Sequence, residues 1–354
     1  MIEAAPHLIE WFQQHARILP WRVLDERKRP DPYRVWVSEI MLQQTRVEAV
    51  KGYYTRFMEH LPDVYALASV SEDQLLKLWE GLGYYSRARN LQKAAKVIVE
   101  QHRGALPGNV KELLSLPGIG EYTAGAVASI AFRQSVPAVD GNVLRVVSRI
   151  LESRMDITKP DTKAEITRIL EDVFDQVPAA QNRPDLFNQS LMELGATVCV
   201  PNGAPQCLVC PVNHCCRGYQ NGTATELPVK EPKKPRRIEE RTVLLLRCDG
   251  KTAIRKRAGK GLLAGLWELP NVEKHLSPEE AMASFGIPVD TIIKAAPLGE
   301  ARHIFTHVQW EMIGWEITLS ALPDVPEKWL WLKPETIHRE YSVPSALKAY
   351  RIKI

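Results

Sequence analysis

The chain has 354 residues, of which 45% are hydrophobic and 25% charged, with a formal net charge of +4. This balance is ordinary for a globular protein long enough to bury two or three cores, and no apolar stretch approaches the length a bilayer span needs. The mild positive charge permits a nucleic-acid partner without requiring one. Five of the six cysteines fall between Cys199 and Cys216, with only Cys248 outside. That suits a single metal site and excludes the scattered pairs of a secreted disulfide framework. The opening residues, Met1 to His7, lack a basic region followed by an apolar run, so the expectation is a soluble, cytoplasmic protein.

The pattern is first helical. Leu8 to Ala16 reads as a short helix ending near Leu19-Pro20-Trp21-Arg22, and a charged, proline-containing loop covers residues 24–32. Tyr33 to Gln44 is helical, and Val47, Val50, Tyr54 and Phe57 continue an apolar stripe at helical spacing. Ser71-Glu72-Asp73-Gln74 reads as a capping box whose helix stops at Gly81-Leu82-Gly83-Tyr84-Tyr85. A helix follows from Arg87 to Gln101, and Asn109 with Glu112 caps another. Leu116-Pro117-Gly118-Ile119-Gly120 predicts a tight turn into a helix over Tyr122–Phe132. After Val139-Asp140-Gly141-Asn142, helices are predicted at Val143–Leu151, Thr162–Val177 and Pro184–Thr197. Residues 1–224 therefore read as one all-helical domain of two lobes flanking a cleft.

Residues 225–241 change composition to proline and basic charge, as a semi-extended linker would. In residues 242–354 the period becomes two. Val243–Arg247 and Lys251–Lys256 flank Asp249-Gly250, a hairpin signal. Alternation recurs from His303 to Ile317 and around Trp329-Leu330-Trp331, with a helix over Pro278–Phe285. This is a smaller α+β domain.

Several residues carry chemistry. Gly118 and Gly120 allow a tight turn before a helix N-terminus, whose free N–H groups suit a phosphate. Asp140 stands at the start of the next helix, where it is either a functional carboxylate or an ordinary N-cap. Glu39 lies among Trp36, Val37, Ile40 and Met41; such surroundings raise a carboxyl pKa and keep it protonated, although an isolated helical glutamate is by default a solvated face residue. Cys199, Cys207, Cys210 and Cys216, with Cys215 beside the last, have spacing that suits zinc or an iron–sulfur cluster.

Leu116 to Gly120 followed by Val139-Asp140 resembles the helix–hairpin–helix and Gly/Pro-Asp loop of the DNA glycosylase superfamily that contains endonuclease III. Trp36 to Thr45 and Asp140-Gly141-Asn142 narrow the resemblance to the adenine DNA glycosylase family, over nearly the whole chain. The implied architecture is multidomain: an all-α helix–hairpin–helix glycosylase domain with a cluster loop, then a Nudix-like α+β domain. The implied activity is monofunctional excision of adenine opposite 8-oxoguanine or G in duplex DNA, by a monomer, associated with the nucleoid in a bacterium. Glu39 is then the acid, Asp140 the carboxylate facing the sugar, where it should stay ionised, and Asn142 its orienting neighbour. Tyr122 replaces the lysine that makes related enzymes strand-cleaving lyases. The family pattern implies a 4Fe–4S cluster on Cys199, Cys207, Cys210 and Cys216, although the first gap is one residue longer here and Cys215 competes for the fourth place. Gln44, Leu82 and Tyr84 are implied at the duplex wedge, Arg17 and Arg22 near the adenine pocket, and Gly118 and Gly120 at the DNA backbone. Phe305, Thr306 and His307 match a Phe-Ser-His loop that reads 8-oxoguanine, with threonine for serine. The residues after Leu266-Trp267-Glu268-Leu269-Pro270 lack the Nudix catalytic box, which implies recognition without hydrolase activity. A bifunctional glycosylase/lyase and a catalytically silent iron–sulfur DNA-binding protein are the competing readings; Tyr122 opposes the first, and the joint presence of Glu39 and Asp140 the second.

Overall fold

Helix starts in this chain are written by short polar residues and proline. Asp31 accepts from the backbone N–H groups of Tyr33 and Arg34 at 2.8 and 3.1 Å, and Pro32 opens the helix Pro32–Leu42, where its missing N–H costs nothing. Asn109 likewise accepts from Glu112 N at 2.9 Å and starts Val110–Ser115. The computed structural model describes residues 1–24, 29–232, 235–324 and 329–354. Residues 25–28 of the expected loop, and Lys233 and Lys234 of the expected linker, lie outside the described residues.

The chain divides into two units: Met1–Ser69 with Asn90–Pro232, and Val70–Arg89 with Lys233–Ile354. In the first, one core gathers the apolar faces of Ala4–His15, Gly141–Leu151, Pro160–Gln176 and Pro184–Thr197. Val143, Val146, Val147 and Ile150 recur at helical spacing and are all buried there. Phe174 meets Phe187 edge-on, with ring centroids 5.4 Å apart.

The second unit is built on a mixed sheet. Strand Arg237–Cys248 pairs parallel with Val308–Leu319, from Arg237 opposite Val308 to Arg247 opposite Thr318. Ile292–Ile304 lies antiparallel beside Val308–Leu319. Lys251–Lys256 pairs with the first strand through Cys248 opposite Lys251, and with Trp329–Leu332. Asp249 and Gly250 have φ of +48° and +71°, the positive pair that a two-residue hairpin turn needs. Val243 and Leu245 face one apolar cluster and Leu244 and Leu246 another, so the strand is covered on both sides.

Four expectations change. The first strand begins at Arg237, so the last residues of the expected 225–241 linker are sheet; charged Arg237, Glu239 and Arg241 alternate there because their register with Val308–Leu319 is fixed by the backbone ladder. The single alternating stretch His303–Ile317 is two strands, and Phe305-Thr306-His307 is the turn between them. No glycine or proline marks that turn, so periodicity alone ran through it. Ser71 does cap Glu72–Leu78 through Gln74 N at 3.3 Å, but its own hydroxyl donates to Gln74 Oε1 and the reciprocal half of the box is absent. The reciprocal box occurs instead at Ser277 and Glu280. Finally, residues 70–89 group with the second unit although a boundary at residue 224 would not place them there. Glu80 ion-pairs with Arg351 at 2.6 Å and accepts from Val343 N, and Trp267 donates to Asp73.

Within the first unit Gly125 packs against a loop with no room for a side chain, since an added Cβ would lie 2.1 Å from the Pro137 carbonyl oxygen. Gly125→Ala must therefore push backbone apart. The expected result is a lower midpoint for loss of the helical circular-dichroism signal, with a cost of roughly 1–3 kcal/mol from overpacking.

Candidate active site

The helix Pro32–Leu42 buries nearly its whole circumference, and Glu39 is buried with it at 6% exposure. An ionised carboxylate in such surroundings loses its hydration. Burial accordingly raises the Glu39 pKa from 4.5 to about 7, helped by the charge of Asp140 and opposed by a hydrogen bond from Tyr122 and by Arg22. The Tyr122 hydroxyl donates to Glu39 Oε2 at 2.5 Å and also lies 3.3 Å from Met192 Sδ. Burial foremost, then the Glu39 charge, lifts the phenol well above its ordinary value, so it remains a donor. The expected acid is therefore a carboxyl poised near neutrality and oriented by a phenol.

Asp140 joins its two candidate roles. It is the N-cap of Gly141–Leu151, with Oδ1 accepting from Val143 N at 2.8 Å, while Oδ2 accepts from Asn142 Nδ2 at 2.7 Å. Burial raises its pKa above the ordinary aspartate value, and these donors together with the Arg145 charge work against that rise. Sequence reasoning anticipated the donors but not the burial. Asn142 is held in turn, since its Oδ1 accepts from Arg145 Nη2 at 2.8 Å. Arg145 also donates to the carbonyls of Gly195 at 2.7 Å and Cys199 at 2.9 Å. A side chain at Gly195 would bring a Cβ within 2.7 Å of Asn142 Cβ, so glycine is what lets the helix Pro184–Thr197 approach the aspartate loop.

A cleft of about 1050 Å³ in this unit is lined by Glu39, Tyr122, Asp140 and Asn142 together with Arg17, Arg22 and Gln44. Both arginines converge on Glu193, which sequence reasoning missed. Arg17 donates to it through Nε at 2.6 Å and Nη2 at 3.1 Å, and Arg22 through Nη2 at 2.8 Å. Burial works to raise the Glu193 pKa, but the hydrogen bonds from both arginines and the charge of Arg22 prevail and hold it below the ordinary value. A glutamate between Met192 and Leu194 on an apolar helix was the available signal.

The turn before Glu121–Phe132 treats its two glycines differently. Gly118 has φ of +78° and would place a Cβ 2.5 Å from Asn90 Cβ, so both conformation and space require glycine. Gly120 has an extended φ of −97° and open space where a Cβ would be. The expectation that both are needed for a tight turn holds only for Gly118; Gly120 leaves the helix N-terminus bare to an approaching group.

Cys199, Cys207, Cys210 and Cys216 line one recess with Arg149. Arg149 Nη1 is 3.3 Å from Cys199 Sγ, and Cys216 Sγ lies 3.4 Å from the Arg149 carbonyl. Cys215 is not part of that lining; its sulfur faces Glu3 and His214. Among the described residues no three of the four recess sulfurs lie within 4.8 Å of one another, whereas one tetrahedral zinc would hold them roughly 3.8 Å apart. The wider spread, with a guanidinium against it, fits a multi-iron cluster.

In the second unit Leu82 is buried at 6% while Tyr84 is 47% exposed with φ of +48°. Phe305-Thr306-His307 forms the hairpin turn, with Thr306 and His307 exposed and the Phe305 ring packed edge-on against Trp310. The Tyr84 hydroxyl lies 2.8 Å from Thr306 Oγ1.

Residues 37–173 match the HhH-GPD superfamily of base excision DNA repair proteins, and residues 242–351 match the NUDIX domain. The adenine DNA glycosylase of Mus musculus is 36% identical, over 90% of this chain and 71% of its own length. That of Schizosaccharomyces pombe is 34% identical, over 97% of this chain and 88% of its own. Among solved structures, a thermostable thymine-DNA glycosylase at 26% identity superposes with a TM-score of 0.53, covering 61% of this chain and 95% of that one. Endonuclease III trapped on DNA, at 24% identity and a TM-score of 0.51, covers 62% and 95% and shares the fold. On the strength of the relatives that span it almost end to end, the chain belongs to the adenine DNA glycosylase family of helix–hairpin–helix base excision repair proteins.

Proposed function

We propose that this protein is a monofunctional glycosylase, active as a monomer, that flips out and excises adenine opposite 8-oxoguanine or G in duplex DNA. The observation that carries the reading is Glu39, a buried carboxyl with a pKa near 7 beside a second carboxylate in one cleft. Breaking an N-glycosidic bond requires protonation of the departing base and stabilisation of a cationic sugar. Glu39 supplies the proton and Tyr122 orients it; Asp140 faces the developing charge, held by Asn142. Arg17 and Arg22, both paired with Glu193, present N–H groups at the adenine pocket. No lysine lines the cleft among the described residues, and a phenol at position 122 cannot form the Schiff base of a lyase. Gln44 in the first unit, and Leu82 and Tyr84 in the second, are each taken as duplex contacts, and Gly118 and Gly120 meet the phosphate backbone.

Cys199, Cys207, Cys210 and Cys216 hold a 4Fe–4S cluster, whose iron–thiolate bonds cross-link the loop. The thiolates' positions depend on Arg149 and, through the Cys199 carbonyl, on Arg145. The exposed Thr306 hydroxyl suits acceptance of the N7–H that distinguishes 8-oxoguanine from guanine.

Glu39→Gln keeps shape but carries no acidic proton. Single-turnover adenine release is expected to fall by about 100-fold or more while duplex binding persists; release at the native rate removes Glu39 from the mechanism. The stability linkage follows the same carboxyl. Because its folded pKa is raised, its contribution is fully present below about 4.5 and is lost as pH rises through about 7. Glu39→Gln should therefore gain stability over the native chain at pH 8 relative to pH 5, by up to roughly 3 kcal/mol, measurable by denaturant unfolding at the two pH values.

The recess predicts about four irons per chain and a broad visible absorption, lost in Cys199→Ser and Cys216→Ser and retained in Cys215→Ser and Cys248→Ser. Stoichiometric zinc without iron at these four cysteines contradicts the assignment. For lesion reading, Thr306→Val is expected to lose about 1–3 kcal/mol of preference for adenine opposite 8-oxoguanine over adenine opposite G, with Thr306→Ser nearly silent. An unchanged preference in the valine variant shows that the hydroxyl is not the reader.

A further inference from the structure

The paired cysteines Cys215 and Cys216 send their sulfurs to different places. Cys216 is buried in the recess with Arg149, while Cys215 is half-exposed on the short turn Asn213–Cys215. There its sulfur meets His214 from the same turn and Glu3 from the start of the N-terminal helix. The thiol sulfur, an imidazole nitrogen and a carboxylate oxygen all lie within 4.8 Å of one another. His214 Nε2 is 4.0 Å from Glu3 Oε1. Glu3 occupies the N-cap position of Ala4–His15 yet makes no side-chain capping bond, so its carboxylate is not committed to the helix. One turn further along that helix, the His7 ring sits edge-on to His214 with centroids 4.7 Å apart.

We propose that Glu3, His214 and Cys215 form a zinc-binding site separate from the four-cysteine recess. The donor set decides the metal class: a thiolate with an imidazole disfavours magnesium and calcium, and thiolate, imidazole and carboxylate together suit Zn²⁺. Tetrahedral zinc would draw the three donor atoms to roughly 3.3–3.6 Å from one another, a small inward movement for side chains that are exposed or half-exposed. The fourth position is open to water or to His7. On binding, the Cys215 thiol gives its proton to solvent as the zinc–sulfur bond forms, with no change of oxidation state. The donors come from segments more than two hundred residues apart in sequence. An ion here therefore ties the N-terminal helix to the loop that carries Cys216, and it gives Cys215 a role beside a neighbour that serves the cluster.

The test uses the full-length protein with its cluster intact, freed of adventitious metal by mild chelation and titrated with zinc chloride against a chromogenic chelator. One zinc per chain is expected, in addition to undiminished iron and visible absorption. His214→Ala and Cys215→Ser should each weaken zinc binding by about 100-fold or more, since even the loss of an outer partner costs 10–100-fold, and both should keep their iron. Zinc-edge X-ray absorption should show a mixed shell with one sulfur at about 2.3 Å. The proposal fails if the native protein takes up no stoichiometric zinc, if both variants bind it as well as the native chain, or if the shell is all sulfur. It also fails if Cys215→Ser loses iron, which would make Cys215 a cluster ligand.

Discussion

Much of the catalytic unit depends on the buried guanidinium of Arg145. Its N–H groups reach the Gly141 carbonyl, Asn142 Oδ1, the Gly195 carbonyl and the Cys199 carbonyl. Those acceptors belong to the helix that Asp140 caps, to the helix that carries Glu193, and to the start of the cysteine loop. A buried cation tolerates its loss of hydration only when its donors are satisfied, so the three segments are held at fixed separations. Asn142 passes that constraint to Asp140. The cysteine loop thus bears on the aspartate through ordinary hydrogen bonds.

The two carboxyls of the cleft are separated by environment more than by identity. Glu39 is buried and Asp140 partly so, and desolvation raises both. Asp140 accepts a backbone N–H and an amide N–H, and Arg145 stands behind the amide. Glu39 has a single phenol donor and feels the negative charge of Asp140. The better-solvated carboxyl is therefore the one favoured as the anion, and the poorly solvated one favoured as the acid, a division that opposed environments can impose on two chemically similar groups. Tyr122 contributes by position: its raised pKa keeps the proton on the phenol and fixes the glutamate rotamer.

The helices were legible because apolar spacing, proline and capping residues act locally; Pro184–Thr197 is found at its expected bounds, Glu39 and Asp140 line one cleft, and the four cysteines line a separate recess. What was hidden depends on contacts between distant segments. Glu193 and Arg145 read as unremarkable helix residues until their partners from residues 17, 22, 142 and 199 are in place. The two glycines of the helix–hairpin–helix turn look equivalent in sequence and differ in φ and in the room around them. The Phe305-Thr306-His307 turn, a loop by resemblance, was hidden from the periodicity because its register is set by the ladder between Ile292–Ile304 and Val308–Leu319 and not by a turn residue. The grouping of residues 70–89 with the C-terminal sheet rests on Glu80 and Asp73, whose partners lie about 200 or more residues away in sequence.

The central claim is that this cleft cuts an N-glycosidic bond and leaves the DNA backbone whole. The direct measurement incubates the protein with a labelled duplex carrying one adenine opposite 8-oxoguanine, then resolves the strands with and without a hot alkali step. Full-length strand before alkali and quantitative cleavage at the adenine position after it is the predicted result, because an abasic site is left and no amine among the described residues lining the cleft opens it. Strand cleavage without alkali, or no cleavage after it, would contradict the account.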